Sequence, residues 1–331
     1  MPEANLAIFV LAVALSYVYA FVGGFTDAAN AIATAVGTRA LSPGQAVLVA
    51  AVFEILGALT GTAVALTIGK GIISPELLTQ GAVVAALLGA MSWSLITYWR
   101  GIPVSETHGL IGGIMGVGLF FGGADAIGWG NLLAVFAAIF ISPLLGFGGG
   151  LLVTTLIYHL GKDVPRARAT PVFRNLQRLS AMYMAFSHGR NDAQKPMGVL
   201  AMALAVHYGW EELRVPLWVV LTVGGCAGLG VAAGGWRIIR TLGMRVTALA
   251  TEQGFAAEAS AATVLQVAST FGIPVSTTHA ITSAIIGAGT VRGRRKVRWS
   301  IVSEIAVSWI ATLPATVLFG YAFAALLSVL L

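Results

Sequence analysis

The sequence predicts an all-α polytopic membrane protein built as an inverted-topology repeat that contains re-entrant or broken helices. Composition is the first observation: 57% of the 331 residues are hydrophobic and only 10% are charged, whereas a soluble domain carries roughly 25% charge. The chain also has 41 glycines, a residue more frequent in membrane helices than in soluble ones. These figures exclude a soluble enzyme, a disordered chain and a nucleic-acid-binding protein. The single cysteine excludes a disulfide framework.

Apolar stretches long enough to cross a bilayer, which takes about 20 helical residues, form the predicted spans. They are residues 5–23, 44–69, 77–99, 129–159, 213–234, 251–271 and 299–331. The fourth and the last are too long for one straight crossing, and they contain Pro143 and Pro314 respectively. Because a glycine run follows Pro143, we expect a kink or a break in the fourth span.

Shorter apolar pieces, each with a cluster of polar residues, lie between the full spans. They are residues 24–39, 103–121, 180–206 and 274–290. Polar backbone is tolerated at membrane depth only where protein or a water-filled cavity covers it. These pieces therefore predict re-entrant or broken helices, which brings the total to about 10–12 membrane segments.

An internal repeat is the second observation. Residues 101–108 and residues 272–279 are identical at seven of eight positions, at an offset of 171. A weaker pair, residues 24–31 and 189–196, aligns Asp27 with Asp192 at an offset of 165. Each half thus has the same order: an Asp motif, two long spans, a Pro-Val-Ser motif and a final span.

Basic residues indicate that the two halves have opposite orientations. Of the 19 Lys and Arg residues, sixteen follow residue 159, and thirteen of these cluster at 162–178, 237–245 and 292–298. The positive-inside rule places these clusters in the cytoplasm. The counterpart of the last cluster in the first half has no Lys or Arg. Equivalent loops facing opposite sides indicate an inverted repeat with its site near the midplane. A parallel duplication with drifted loop charges is the alternative.

The predicted division of the chain follows from this repeat. We expect a first inverted repeat at residues 1–159, a cytoplasmic linker at 160–178 and a second inverted repeat at 179–331.

Two Asp residues in apolar segments are the first candidate site residues, because ionisable groups there are costly and usually functional. Asp27 has Asn30 on the same helix face, and Asn191 directly precedes Asp192. A carboxylate with amide oxygens suits a hard monovalent cation, and the same carboxylate can instead carry a proton. The structural alternative is that Thr26 or Asp27 caps a helix that starts at residue 28.

Hydroxyl side chains follow each Pro-Val sequence at the predicted start of a helix. They are Ser105, Thr107, Ser276, Thr277 and Thr278. Helix N-termini present free N–H groups, so two opposed copies predict a site for a tetrahedral oxyanion; simple capping is the alternative reading. His108 and His279 occupy matching places, where they either orient hydroxyls, titrate or pack as structural residues.

Lys195 stands where the first half has Asn30. Its ammonium would pair with Asp192, contact the anion or replace a bound cation, and each of these makes the halves unequal. Glu54, Glu106 and Glu304 also lie in apolar regions without an assigned role. The pair Ser187 and His188 does not predict a hydrolase, because adjacent helical residues do not face each other and no oxyanion-hole loop is visible. The sequence also shows no Gly-rich phosphate loop, zinc spacing or nucleotide motif.

These motifs together resemble the inorganic phosphate transporter (Pit) family, bacterial type. Residues 24–31 are similar to its duplicated signature, residues 187–198 to the bacterial second copy, and the Pro-Val-Ser-x-Thr-His pairs and the Thr-Leu-Pro-Ala stretch at 312–315 fit the same pattern. The resemblance covers nearly the whole chain. It implies a symporter that imports phosphate with a cation, an all-helical inverted repeat, a homodimer, an elevator-like mechanism and a multi-pass location in the plasma membrane.

The resemblance also implies site roles. Carried over residue by residue, Asp27, Asn30 and Asp192 would hold the coupling ion, with sodium at Asp27 and Asn30, while Asn191, Lys195 and the five hydroxyl residues would bind phosphate. Thr26 and Lys195 depart from the family signature, which places a full set of sodium sites in doubt. Relatives of this kind are commonly proton-coupled and carry metal–phosphate complexes, so the coupling ion stays open between H⁺ and Na⁺. No cofactor and no nucleic-acid partner are expected.

Competing readings differ in substrate or class. A sulfate symporter on the same scaffold is the closest alternative, because sulfate only accepts hydrogen bonds whereas phosphate also donates them; two carboxylates favour phosphate. A passive anion channel is disfavoured by midplane carboxylates, since anion pores prefer basic rings.

Overall fold

The computed structural model describes residues 6–69 and 71–330, and the fold over these residues is helical, as the sequence predicts. The helices are α1 (Leu6–Gly37), α2 (Pro43–Ala58), α3 (Ala63–Gly69), α4 (Gln80–Arg100), α5 (Glu106–Gly122), α6 (Trp129–Leu160), α7 (Arg166–Asp192), α8 (Gln194–Tyr208), α9 (Leu217–Ala233), α10 (Trp236–Arg240), α11 (Thr251–Thr270), α12 (Thr277–Thr290) and α13 (Trp299–Leu330). Residue 5 and residue 331, which belong to predicted spans, and Lys70, one of the three basic residues before residue 160, lie outside the described residues.

Five helices of the described chain are long and apolar enough to cross a membrane, namely α1, α4, α5 with the turn after it, α6 and α13. Two further pairs pass the same test together but are bent. The bend between α2 and α3 is 73°, and the bend between α9 and the helical segment Trp236–Arg245 is 57°. With each bent pair as one span, up to seven spans result. The polytopic membrane fold and the presence of broken helices are therefore confirmed.

Two predicted interruptions are absent from the described helices. Residues 24–39 do not form a separate piece, because α1 runs without a break from Leu6 to Gly37. Residues 129–159 likewise lie in one helix that includes Pro143. The separate piece expected at residues 24–39 was wrong, and the break expected after Pro143 is absent. A helix of 32 residues is about 48 Å long at 1.5 Å per residue, so it outruns the bilayer core instead of breaking within it.

The predicted cytoplasmic linker is mostly helical. Helix α7 begins at Arg166 and includes the rest of residues 160–178, so only residues 161–165 connect α6 to α7. The basic cluster at 237–245 also lies in helical turns, from α10 into a π-helical turn at Thr241–Arg245. The predicted broken piece at 180–206 does divide, at Ala193 between α7 and α8.

The helix that follows each Pro-Val-Ser motif packs on the last long helix of the other half. Helix α5 packs on α13, the last helix of the second half, and α12 packs on α6, the last long helix of the first half. Small residues make both contacts close. A Cβ atom on Gly320 would lie 2.3 Å from the carbonyl oxygen of Gly113, and one on Gly150 would lie 2.3 Å from that of Ala284. Small residues of this kind let membrane helices approach closely without a hydrophobic driving force.

The outer faces of the long helices are apolar and open. Leu133 and Leu144 on α6 and Ile310 on α13 are 71%, 72% and 76% exposed. Lipid tails are the natural cover for such a surface, because a soluble protein rarely exposes large contiguous apolar patches. The inner helices α5 and α12 are instead buried over most of their lengths.

We expect Gly150→Ala to lower the thermal unfolding midpoint of the detergent-purified protein, because the added Cβ would overlap the Ala284 carbonyl, and overpacking costs about 1–3 kcal/mol. The matched control is Gly148→Ala two residues away in α6, where a Cβ meets no described atom within 4 Å. Equal midpoints for the two variants would contradict the close packing of α6 on α12.

Candidate functional site

The two Pro-Val-Ser motifs enter α5 and α12 in the same way. Ser105 caps α5 by accepting a hydrogen bond from the backbone N–H of His108 at 3.2 Å, and Ser276 caps α12 by accepting from that of His279 at 3.2 Å. Both serines are therefore N-caps of their helices, as the capping alternative predicted. Each serine can in addition donate its own hydroxyl hydrogen to another group.

Crossed hydrogen bonds join the two motifs to each other. Thr107 donates to the carbonyl oxygen of Val275 at 3.0 Å, and Thr278 donates to that of Val104 at 2.9 Å. Thr278 and Val275 are the counterparts of Thr107 and Val104 at the offset of 171. The two bonds thus repeat each other across the halves and hold the two helix starts face to face.

The paired histidines lie beside these bonds. The rings of His108 and His279 meet edge to face with centroids 4.7 Å apart, and His279 also stacks on Trp309 at 3.8 Å. Both imidazoles are buried. This arrangement fits the packed structural role that the sequence left open for them.

Helix α1 carries Asp27 and Asn30 against the start of α12. The Asn30 amide nitrogen donates to the hydroxyl oxygens of Thr278 at 2.9 Å and Thr277 at 3.4 Å, and the Thr278 hydroxyl also lies 3.4 Å from Asp27 Oδ1. Asp27 Oδ2 and Asn30 Oδ1 are buried and have no hydrogen-bond partner among the described residues. Because α1 is continuous here, the alternative that Thr26 or Asp27 caps a helix start is wrong.

Asp192, at the break between α7 and α8, is held from several sides. Its Oδ2 accepts from Thr277 Oγ1 at 2.9 Å, and its Oδ1 lies 2.9 Å from Lys195 Nζ. The Asn191 amide contacts Ser269 Oγ at 2.9 Å, and with its nitrogen turned to the other side it donates to Asp192 Oδ1 at 3.2 Å. Asp192 is therefore a fully engaged carboxylate.

His188 and Glu54 extend the network and were missed as site residues. His188 lies one turn before Asp192, with Nε2 at 3.3 Å from Asp192 Oδ2, and its Nδ1 lies 2.7 Å from Glu54 Oε2 on α2. Both side chains are 1% exposed. The spacing of four residues between His188 and Asp192 was the available signal, because such residues share a helix face. Glu54 had no comparable signal, since its partner lies 134 residues away.

Glu106 forms a separate buried carboxylate at the start of α5. Its Oε1 accepts from Thr26 at 2.9 Å and its Oε2 from Ser94 at 2.8 Å. Glu304, in contrast, lies exposed on α13. Of the three glutamates without a predicted role, two therefore belong to the buried polar centre and one does not.

A cavity lies in this polar centre. Its empty space is about 290 Å³ including its open side, and its polar lining comes from Tyr19, Glu54, Glu106, His188, Asp192 and Lys195. Asp27 lies near two of the lining residues, because ligand atoms of Asp27, His188 and Asp192 all lie within 4.8 Å of one another. Three carboxylates, one phenol, one imidazole and one ammonium thus line this space.

The predicted site residues are therefore brought together. Asp27, Asn30, Asn191, Asp192, Thr277, Thr278 and Lys195 form one connected buried cluster. Ser105, Thr107 and Ser276 lie at the two helix starts beside it. A buried polar cluster inside a lipid-facing helical bundle is typical of a membrane transporter, where intramembrane ionisable residues mark solute and ion pathways.

Comparison with known proteins agrees with this class. The model of the phosphate transporter family matches residues 23–169 and 159–320, and the chain belongs to that family. A protein of Rhizobium meliloti named probable low-affinity inorganic phosphate transporter is 44% identical over 92% of both chains, and one of Bacillus subtilis with the same name is 37% identical over 94% of both. A solved structure described as the sodium-dependent phosphate transporter matches with a TM-score of 0.89 at 29% identity, covering 98% of this chain and all of that one. The chain is a multi-pass transporter and not an enzyme.

We expect Thr107→Val to lower the thermal unfolding midpoint, because it leaves the buried carbonyl of Val275 without its donor, at a cost of about 1–3 kcal/mol. Thr107→Ser keeps the hydroxyl and is the matched control, with a smaller effect. Thr278→Val should act in the same direction, since it breaks the crossed bond to Val104. A midpoint for Thr107→Val equal to that of the wild type would mean that the crossed bond does not stabilise the junction.

Proposed function

We propose that this chain is a cation-coupled symporter that imports inorganic phosphate across the plasma membrane by alternating access. The observation that carries the proposal is the connected cluster of Asp27, Asn30, Asp192, Thr277 and Thr278 at the junction of the two halves. Membership of the phosphate transporter family supports the substrate, and likeness to a structure described as sodium-dependent supports the coupling.

Phosphate binding is assigned to the two helix starts. Ser105, Thr107, Ser276, Thr277 and Thr278 offer hydroxyls there, and the ends of α5 and α12 add N–H groups that favour an oxyanion. Asn191 and Lys195 supply an amide and an ammonium from the second half. Several of these hydroxyls now hydrogen bond to carboxylates or carbonyls, so they would turn to phosphate when it enters.

The carboxylates favour phosphate over sulfate. Phosphate near neutral pH keeps a proton that it can donate, and buried Asp oxygens are acceptors for it. Sulfate has no such proton, so it would meet the same carboxylates with repulsion alone. No observation on the described residues favours a sulfate transporter or a passive channel.

The coupling ion is assigned to Asp27 and Asn30, with Asp192 as the matching carboxylate of the second half. Asp27 Oδ2 and Asn30 Oδ1 are buried acceptors without a partner among the described residues, and oxygen ligands suit a hard cation. A proton needs only one acceptor, whereas Asp27 Oδ2 and Asn30 Oδ1 together offer a metal cation two oxygen ligands. We therefore propose sodium rather than a proton at this position.

The remaining architecture is proposed with the function. We assign residues 1–159 and 179–331 to two inverted repeats, with the basic ends of α7 and α10 on the cytoplasmic side, and we propose a homodimer. Phosphate transported as a metal complex remains compatible with the cluster of Asp27, His188 and Asp192, whose ligand atoms lie within 4.8 Å of one another.

We expect Asp27→Asn and Asp192→Asn each to abolish phosphate uptake into proteoliposomes, because each removes a buried negative charge from the cluster while keeping its shape. Membrane insertion, read by fractionation, should persist. The control is Asp125→Asn, a change at an exposed residue of the turn after α5, which should transport normally. Full uptake by both cluster variants would contradict the assignment.

Separate gradients identify the driving ion. Labelled phosphate uptake is measured with a sodium gradient and with a proton gradient imposed alone, each with and without excess sulfate. We expect uptake under the sodium gradient, accumulation above the external concentration and little competition by sulfate. Equilibration without accumulation would indicate a channel, and transport of sulfate itself in place of phosphate would indicate the sulfate alternative.

A further inference from the structure

Two helix contacts show which residues of the two halves occupy equivalent places around the cavity. A Cβ on Gly24 of α1 would lie 2.1 Å from the Ala227 carbonyl oxygen on α9, and one on Gly189 of α7 would lie 2.0 Å from the Glu54 carbonyl oxygen on α2. The contact of α1 with α9 therefore repeats the contact of α7 with α2. Ala227 is then the counterpart of Glu54.

A second pair of contacts fixes the same register. A Cβ on Gly230 would lie 2.1 Å from the Phe21 carbonyl oxygen, and one on Gly57 would lie 2.0 Å from that of Phe186. Together with the alignment of Asp27 and Asp192 at an offset of 165, this register makes Gly23 the counterpart of His188. The same offset makes Asn30 the counterpart of Lys195.

The two half-sites therefore differ strongly in charge. Around Asp192 lie an ammonium from Lys195 at 2.9 Å, an imidazole from His188 at 3.3 Å, and Glu54 behind that imidazole. The equivalent positions around Asp27 hold an amide and two small apolar residues. Gly23 even leaves open space, because a Cβ added there meets no described atom within 4 Å.

The other charged or titratable groups that line the cavity add no positive charge beside Asp27. Tyr19 and Glu106 line it from α1 and α5, and the Glu106 carboxylate is held by Thr26 and Ser94. Neither supplies a cation to Asp27. Burying a carboxylate in a membrane is costly unless a positive charge accompanies it. Asp192 has such a charge in direct contact, the Lys195 ammonium at 2.9 Å, whereas the position equivalent to Lys195 beside Asp27 is the neutral Asn30. The His188 imidazole has a ligand atom within 4.8 Å of Asp27, but its contacts are with Asp192 and Glu54.

We infer that Lys195 is a tethered replacement for one of two symmetric coupling cations, so that this chain carries one sodium ion, at Asp27 and Asn30, where a symmetric site would carry two. The inference rests on the proposed symport. Lys195 Nζ occupies the place at which the Asn30 counterpart would present a carbonyl oxygen to a mobile ion. His188, fixed by Glu54, is a positioning residue that keeps Asp192 turned toward the ammonium.

The first test measures the sodium dependence of phosphate uptake in proteoliposomes. At low external sodium we expect the wild-type rate to rise with the first power of sodium concentration. Lys195→Asn recreates the Asp–Asn pair of the first half, so its rate should rise with the second power. A transporting Lys195→Asn variant with first-power dependence would overturn the inference.

The second test does not require transport and uses equilibrium binding of labelled sodium to the purified protein. We expect one sodium site in the wild type, none in Asp27→Asn and two in Lys195→Asn. The double variant that combines Asp27→Asn with Lys195→Asn should have one site, at Asp192. A double variant that binds no sodium would overturn the inference. Lys195→Arg keeps the charge and should retain one site, as should Lys296→Asn, which removes an exposed charge far from the cavity.

Failure of the inference and failure of the proposed function give different results. Absence of phosphate uptake by the wild type would contradict the function, while the binding test would still decide the number of sodium sites. Uptake driven by protons and indifferent to sodium would overturn the inference and leave phosphate transport intact. Equal site numbers in the wild type and Lys195→Asn would overturn it as well.

Discussion

The crossed hydrogen bonds of Thr107 to Val275 and of Thr278 to Val104 are the contact on which the arrangement of the site depends. Each bond uses a side chain of one half to satisfy the backbone of the other at membrane depth, where no water replaces a missing partner. The non-helical backbone before each of the two helices is therefore satisfied only because the two helix starts contact each other. Their meeting also brings the N-terminal ends of α5 and α12, with their free N–H groups, to one place.

Several strong polar contacts near this junction join side chains of different helices. Asn30 of α1 reaches Thr278 of α12, Thr277 of α12 reaches Asp192 of α7, and His188 of α7 reaches Glu54 of α2. Such a network is stable only when its members are satisfied together. A change in one hydrogen bond, such as a hydroxyl turning to an arriving anion, is therefore felt by several helices at once, which suits a protein that must change its packing as it transports.

The motifs of the sequence predicted which polar residues lie together better than they predicted the helices that carry them. Duplication identified Asp27, Asp192 and Thr278, because identical residues at a fixed offset exceed what an apolar composition produces by chance. Periodicity could not distinguish a short helix after a span from the continuous α1, since both have the same local pattern. The role of Glu54 could not be predicted, because its contact with His188 joins distant segments of the chain. Pro143 does not break its helix, because neighbouring helices in a membrane protein can satisfy the backbone groups that a proline leaves free.

The helix contacts are equivalent in the two halves of this chain, whereas the charges beside the two Asp residues differ, and the two features are subject to different constraints. The close helix contacts at Gly24 and Gly189 must be conserved between the halves for them to assemble as equivalents, because a Cβ at either would overlap a carbonyl oxygen. The residues one position earlier, Gly23 and His188, line the cavity and are free to differ. A duplicated scaffold can thus keep its geometry while one half acquires a permanent positive charge beside Asp192. Under the proposed mechanism, Lys195 would offset the electrostatic cost of holding Asp192 in the membrane in every state of the cycle, whereas the cost at Asp27 would be offset only when a cation is bound.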